Sequence, residues 1–573
     1  MFARIKKSGL HQYLQIVENR REGQKTIQRV IATIGRMDHL QERGEIENLV
    51  RSLSRFSEKV LLVLSGQGDA QASAKKIGPA LIFERLWEEL GIGRTLDHLL
   101  QERKFGFDVE RAIFLTVLHR LIVSGSDRFC EKWRQDYLIE GMEDLSLHHL
   151  YRAMAFLGEE LADQSGRTPF APRCTKDLVE EALFLDRRDL FTTLDLVFFD
   201  TTSIYFEGEG GATLGERGHS RDHRSDLNQM VVGAVLDNGG NPLCCEMWPG
   251  NTADVRALIP VLDRIRERFQ VGQFCVVADR GMISSETLEE LERREIPYIL
   301  GARMRRVKEI RKEVLSRGGR FREVRPEGER AHDPSPLKVK EVWIEDRRYI
   351  ICLNPREARK DEQDRQIIIE ALKEQLKRDP KGLIGNRGYR KYLKIDRDHI
   401  GIDQKKIEEE ARFDGKWVLK TNRDLPTETV ALKYKELWQV EQVFRDMKSI
   451  LETRPIYHQM DETIRGHVFC SFLALMLRKE LDRRLEKAGH SFEWADIKQD
   501  LKSLQEITLE EKGKRLAIRS ECRGVCGKVF QSVGVARGLT CYPFSYSRNN
   551  LWCQELFEGT YFPIIPQLYF CNC

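Results

Sequence analysis

Leu196-Val197-Phe198-Phe199-Asp200 is a short apolar run that ends in an aspartate, and Phe274-Cys275-Val276-Val277-Ala278-Asp279 repeats the device further along the chain. Runs of this length, rich in β-branched and aromatic residues, read as buried strands. Between them, residues 228–236 and 242–248 form a hairpin around Asp237-Asn238-Gly239-Gly240, a strong turn signal. A helix follows, with Val255, Leu258, Ile259, Leu262, Ile265 and Phe269 along one side.

Strand, strand, strand, helix, strand is the opening of a ribonuclease-H-like fold. In that topology the first and fourth strands lie side by side, which brings Asp200 and Asp279 together. Many α/β domains begin in a similar order, so the aspartates must carry chemical meaning of their own. An aspartate that ends a strand is most often a turn or cap residue. Two of them at adjacent strand ends repel unless protonated or bound to metal. Two divalent ions about 3.5–4 Å apart would resolve the repulsion and stabilise both oxygens of a phosphodiester displacement. Magnesium, or manganese in its place, suits such an all-oxygen site.

A third carboxylate comes from a helical stretch, Tyr434-Lys435-Glu436-Leu437-Trp438-Gln439-Val440-Glu441-Gln442-Val443-Phe444-Arg445-Asp446-Met447-Lys448. Seven residues is about two helical turns, so the pattern predicts Tyr434, Glu441 and Lys448 on one face of one helix. The plainer reading of Glu441 is an ion pair with Arg445 one turn on. That pair does not account for a phenol, a carboxylate and an ammonium on one face after two strand-end aspartates.

Around this centre the rest of the chain is read more coarsely. At 573 residues it holds several domains and can bury large cores. Net charge is only +4, so the overall balance does not itself declare a nucleic-acid binder. Local clustering says more. Ten Arg and Lys between Arg303 and Arg325 face only Glu309, Glu313 and Glu323. Such a run is usually a solvated face, and becomes a DNA contact only where other signals agree. The N-terminus lacks an apolar signal core, and the longest apolar stretch, Val468 to Leu477, is about half a membrane span. The expectation is a cytoplasmic protein with no membrane partner. Scattered cysteines within apolar runs, such as Cys244, Cys245, Cys275 and Cys470, read as buried free thiols.

The expected architecture is α/β and multidomain: a ribonuclease-H-like core of mixed sheet and helices, interrupted by a β-rich insertion and preceded by a mainly helical region. Residues 1–37 contain a β-hairpin, with Tyr13–Val17 and Thr26–Ile31 about a turn at Arg21–Gln24. Residues 38–170 are helical, with Ala112, Ile113, Leu115, Leu118, Leu121 and Ile122 on one apolar face. Residues 176–300 form the first part of the core and 301–425 the insertion. Residues 426–485 form the second part of the core, and 486–573 a C-terminal region with an atypical tail.

The loop Gly218-His219-Ser220-Arg221-Asp222-His223-Arg224 contains His-x3-His without further ligands at zinc spacing. It reads as a polar loop beside the first aspartate, with His219, Arg221 and Arg224 offering positive charge to phosphate. Cys522-x3-Cys526, with Cys541, Cys553, Cys571 and Cys573, lacks the tight Cys-x2-Cys form of a zinc cluster.

Taken together, these blocks resemble the DDE transposases of bacterial insertion sequences, in particular the group with a Tyr-(2)-Arg-(3)-Glu-(6)-Lys signature. Here the signature reads Tyr434-(2)-Leu437-(3)-Glu441-(6)-Lys448, with Leu437 at the Arg position and Arg445 or Lys435 as substitutes. Asp200-Thr201-Thr202-Ser203 matches the first Asp block of the group and Ala278-Asp279-Arg280-Gly281-Met282 the second. Asp414 to Asn422 resembles its last insertion strand; Arg454-Pro455-Ile456-Tyr457-His458 and Ile464-Arg465-Gly466-His467 resemble its segment after the glutamate. The tail Gly538–Cys573 departs from the group's short ending.

The resemblance implies two Mg²⁺ (or Mn²⁺) ions held by Asp200, Asp279 and Glu441. It implies cleavage at terminal inverted repeats and joining of the freed 3′-OH to target DNA. Tyr434 and Lys448, with Arg445, Arg280, His219, Arg221 and Arg224, would contact DNA, and the helical region would recognise the repeat. A homodimer is expected because two element ends must be held at once, in a prokaryotic, nucleoid-associated setting. The alternatives are a metal-dependent DNA nuclease on the same fold, or a catalytically inactive DNA-binding remnant.

Overall fold

The computed structural model describes residues 2–9, 11–22, 25–42, 45–46, 49, 71–187, 195–272, 274–325, 337–378, 387–396, 399–511, 514–535 and 542–543. The chain divides into two compact units. One comprises Met1–Ser73, Thr508–Leu516 and Tyr542–Cys573, and the other Ala74–Ile507 and Ala517–Cys541. Apart from Tyr542–Pro543, the tail from Gly538 lies outside the described residues, as do residues 50–70 of the helical region.

In the first unit, β1 (Phe2–Ser8), β2 (His11–Glu22) and β3 (Lys25–Arg36) form an antiparallel three-stranded sheet in that order. The hairpin read from the sequence is the pair β2–β3. The added strand β1 has the alternation Phe2, Arg4, Lys6 against Ala3, Ile5, Lys7, too polar and too short to signal a strand alone.

The second unit is built on one mixed sheet. Its strands are β4 (Leu196–Tyr205), β5 (Gln229–Leu236), β6 (Pro242–Pro249), β7 (Cys275–Ala278), β8 (Tyr298–Gly301), β9 (Arg322–Val324), β10 (Leu337–Ile344), β11 (Arg347–Leu353) and β12 (Lys416–Thr421). The order across the sheet is β9-β10-β11-β12-β8-β7-β4-β5-β6. β4 pairs in parallel with β7, and β7 with β8, while β5 and β6 run antiparallel. β4 and β7, the first and fourth strands of the sequence reading, thus lie side by side, as that reading requires.

Helices cover both faces. Val197 and Phe199 join the cluster under α4 (Asp254–Phe269), with Leu258, Leu262 and Val276. Phe198, one residue between, joins the opposite cluster with Val277 and the helices α7 (Trp438–Ser449) and α8 (Asp461–Lys487). This is the two-residue alternation of a strand buried on both sides.

Three differences from the sequence reading matter. First, the stretch from Tyr434 to Lys448 is two helices, α6 (Thr427–Lys435) and α7. At Glu436 and Leu437 the bonding tightens: Leu437 N donates to Tyr434 O at 3.1 Å and Val440 N to Leu437 O at 3.0 Å. The apolar spacing continues through the joint, so periodicity alone does not reveal it. Second, most strands of residues 301–425 extend the core sheet instead of forming a separate domain sheet. β12 pairs antiparallel with the core edge β8, Leu419 opposite Gly301, and β11, β10 and β9 follow outward. An open edge strand leaves a row of unpaired backbone groups, and this extension satisfies them. Only α5 (Pro355–Arg378), with the hairpin strands Leu393–Asp396 and His399–Ile402, forms a small separate cluster around Leu372, Tyr392 and Leu393.

Third, the helical region, read from the sequence as a stretch of its own over residues 38–170, shares its core with the sheet-bearing part of the unit. Within α1 (Val109–Ile122) every residue but Arg111 is buried, and α1 and α2 (Leu147–Gly158) share one core with α8. A strand, Gln71–Lys76, precedes these helices. Among the described residues no helix is long and apolar enough to cross a membrane.

Candidate active site

The register of β4 against β7 sets Phe199 opposite Ala278. Asp200 and Asp279 are therefore the next residues on neighbouring parallel strands. By alternation both follow Phe198 and Val277 onto the face covered by α7. Asp200 is 15% exposed. Burial pushes its carboxyl up to about 6, and the charges of Asp279 and Asp254 add to this against the opposing pull of Arg221. One guanidinium, 3.8 Å away, thus compensates the site only in part.

Asp254 is a fourth carboxylate that the sequence reading passed over. It opens α4, accepts from Thr201 Oγ1 at 2.8 Å and from Arg221 Nη2 at 2.9 Å. Its signal was there, an acid in the first turn of a helix after a strand, but that is also the commonest dipole-complementing position. Arg221 ties the group together: its backbone N–H donates to Ser203 Oγ at 2.9 Å and its guanidinium to the Thr201 carbonyl and hydroxyl.

Tyr434, at the end of α6, donates its hydroxyl to Asp279 Oδ1 at 3.0 Å. Burial pushes this phenol well above its ordinary range, and the Asp279 charge adds to the effect, so it stays a neutral donor. Gly301 makes the approach possible: a Cβ there would meet Tyr434 Oη at 2.3 Å. Glu441 is exposed in the first turn of α7. Among the described residues, Asp200, Asp279 and Glu441 do not each offer an oxygen within 4.8 Å of the other two. Leu437, at the family's Arg position, is 6% exposed and part of the core.

Lys448, near the end of α7, reaches Asp222 Oδ1 at 3.0 Å, and Arg454 meets the same oxygen at 2.6 Å. Burial pulls the Lys448 ammonium below its ordinary range, although Asp222 opposes this. Arg224 pairs with Asp226 at 3.0 Å and lies over the Tyr205 ring, while His219 and Arg445 are exposed. Arg280 is exposed and lines a cavity of about 460 Å³ with Asp279, Arg303, Arg305 and Arg306. Arg303 donates to the carbonyls of Arg280 at 2.9 Å and Gly281 at 3.1 Å, bracing the turn after Asp279. The start of the Arg-rich run therefore stands beside the second aspartate. Further along, Arg305 pairs with Glu410 at 3.1 Å and Arg311 with Glu409 at 3.5 Å, which is the solvated-face behaviour.

Away from this site, Asp127, His458 and His467 bring ligand atoms within 4.8 Å of one another. Arg120 lies among them, 2.9 Å from His467 Nδ1 and 3.5 Å from Asp127 Oδ1. Burial opposes the Asp127 charge, but the His458 hydrogen bond and Arg120 hold its carboxyl far below the usual range. The guanidinium already supplies the positive charge that a metal would bring.

Two side-by-side strand-end aspartates on a mixed α/β sheet, facing a helix that carries a glutamate, fit the arrangement of DDE enzymes. Residues 192–477 match the family model of the transposase DDE domain, and residues 3–68 match that of the IS1634 family transposase N-terminal domain. Between them the matches span well over half the sequence, and the chain belongs to the DDE transposases of insertion sequences. No curated relative matches. Among solved structures, the chain is similar to piggyBac transposase in a synaptic complex with hairpin DNA, at 10% identity and a TM-score of 0.36, over 74% of this chain and 79% of that one.

Proposed function

We propose that this transposase cleaves DNA at the ends of its insertion sequence and joins the freed 3′-OH ends to target DNA, on a ribonuclease-H-like core. The observation that carries the reading is the β4–β7 register, with Asp200 and Asp279 in equivalent positions and Asp200 pushed up by burial and by its acidic neighbours. An under-compensated, all-oxygen donor set suits Mg²⁺ or Mn²⁺. Asp200, Asp279 and Glu441 would hold two such ions. Bound there, the ions would activate the attacking oxygen and stabilise the leaving one.

The chain's own residues have separate tasks in this reading. Tyr434 holds the Asp279 carboxylate by its hydroxyl. Arg221 fixes the loop and the Thr201–Asp254 pair behind Asp200. Arg280, Arg303 and Arg306 present positive charge beside Asp279, where the phosphate backbone would run. His219 and Arg445, which are exposed, and the half-buried Arg224 contribute to the wider DNA surface. The active species is a homodimer that holds two ends together, within the group of the Tyr-Arg-Glu-Lys signature.

The test uses labelled duplexes from the DNA flanking the coding region, incubated with full-length protein and Mg²⁺, Mn²⁺ or chelator. The expected result is metal-dependent nicking at the element boundary, followed by joining to a target plasmid. Cleavage without joining would leave a nuclease; binding without cleavage would leave an inactive remnant.

A further inference from the structure

We infer that Lys448 and Arg454 form a two-cation site for one DNA backbone phosphate, and that the Asp222 carboxylate holds that site until DNA replaces it. The inference rests on the DNA-cleaving reading above and adds Arg454 and Asp222 to it. Three observations converge. Lys448 Nζ and Arg454 Nη1 meet the same atom, Asp222 Oδ1, at 3.0 and 2.6 Å. The second oxygen, Oδ2, is buried and has no hydrogen-bond partner among the described residues. Arg454 is held over the ring of Tyr205, 5.7 Å from its centre, at the end of the strand that carries Asp200.

One carboxylate between two cations leaves a net positive charge, and an unpartnered buried oxygen costs free energy. A backbone phosphate carries the same charge on two non-bridging oxygens at a tetrahedral centre, so each cation can take its own oxygen where Asp222 gives them a single one to share. The arrangement also answers a question left by the sequence. Leu437 occupies the signature's Arg position and is buried in the core, so no phosphate contact can come from there. Arg445 and Lys435 are exposed on their helices. Arg454 is the cation that converges with Lys448, and the loop bearing Asp222 links it to the residues around Asp200. On DNA binding, Asp222 gives up its two ion pairs and the phosphate takes them.

The experiment measures binding of the full-length protein to element-end duplexes across a salt series, with chelator present so that cleavage does not intrude. R454Q and K448Q should each flatten the slope of log affinity against log salt by about 1, as loss of one phosphate contact does. R454K should restore most of it. D222N keeps the side chain's shape and removes its charge; it should raise affinity roughly 5-fold, the scale of a partly exposed ion pair. Thermal melting of each variant separates unfolding from lost contact. A D222N protein that folds but binds no better, or an R454Q slope equal to wild type, overturns the inference. Wild-type protein that fails to bind the duplexes at all would instead sink the reading on which it rests.

Discussion

Two groups of charged residues lie within the same unit of this protein, and they are balanced in opposite ways. Between α3 (Thr175–Arg187), β6 and α4, the buried cations Lys176, Arg264 and Arg268 interlock with Asp177, Glu180 and Glu246. Lys176 meets Asp177 at 2.6 Å, and Arg268 meets Glu180 at 2.6 Å and Asp177 at 3.3 Å. Lys176 also donates to the Cys245 carbonyl at 2.7 Å. Glu181 joins it through Arg268 at 2.8 Å and brings in Arg173 at 2.9 Å, so that four cations meet four carboxylates. Around Asp200 the count differs: Asp200 and Asp254 share the one guanidinium of Arg221, the Asp279 charge adds to theirs, and burial drives Asp200 upward. A closed network needs nothing from outside and fixes two helices to a strand. An open one leaves the Asp200 carboxyl under-compensated, which is what a cation-binding site must have before its ions arrive.

The comparison can be broken most forcefully from the closed side. Replacing Arg268 by Met leaves Glu180 and Asp177 without their shared partner. Breaking one side of a buried ion network costs about 3–5 kcal/mol, so R268M should melt far below wild type or fail to accumulate. Equal melting temperatures would show that the network is not what fixes α3 to α4. On the open side, D279N should lower cleavage roughly a thousandfold, about 4 kcal/mol of lost transition-state stabilisation. Its melting temperature should not fall, because no balanced partner is stranded. Cleavage at the wild-type rate would remove Asp279 from the site.

The third expectation uses the sign of the Asp200 displacement. Its folded value of about 6 lies above the reference 3.8, so the folded state holds the proton more tightly than the unfolded chain does. The resulting stability is fully present below the unfolded value and is lost as pH rises through about 6. Metal-free wild type should therefore lose on the order of 2–3 kcal/mol from this group between acid and neutral pH. D200N should lack that loss and melt higher than wild type at neutral pH. Saturating Mg²⁺ should narrow the gap. Parallel pH–melting curves for the two proteins would show that Asp200 is not strained by its surroundings.

How far the sequence reveals each region follows from the range of its contacts. Asp200 and Asp279 were legible because apolar runs of four and five residues before them announce buried strands, and the intervening hairpin and helix fix their order. The pairing partners were not. Lys448 finds Asp222 across 226 residues, and Tyr434 finds Asp279 across 155. β12 joins β8 through backbone bonds that any side chains permit, so the insertion's place in the core sheet left no mark in composition. The joint between α6 and α7 hid because Leu437 and Val440 keep helical spacing through it. Asp254 hid behind an ordinary helix-start role. The closed network was invisible for the converse reason: Lys176, Asp177, Glu180 and Glu181 look like the polar face of a solvated helix.

The smallest expected effect concerns Tyr434, and it decides between two roles. Its place in the signature suggests a contact to the terminal phosphate, whereas its hydroxyl here serves Asp279 at 3.0 Å. A hydrogen bond to a charged carboxylate contributes about 1.5–3 kcal/mol, less where water can replace the donor. Y434F should therefore slow cleavage roughly tenfold while the ring still fills its place beside Gly301. If the hydroxyl orients a metal-binding carboxylate, the Mg²⁺ concentration for half-maximal rate should rise and the DNA concentration for half-maximal rate should stay put. If it grips phosphate, the two should move the other way round. An unchanged rate and unchanged dependence on both would make the phenol a packing residue, and the open site would then stand on its carboxylates and Arg221 alone.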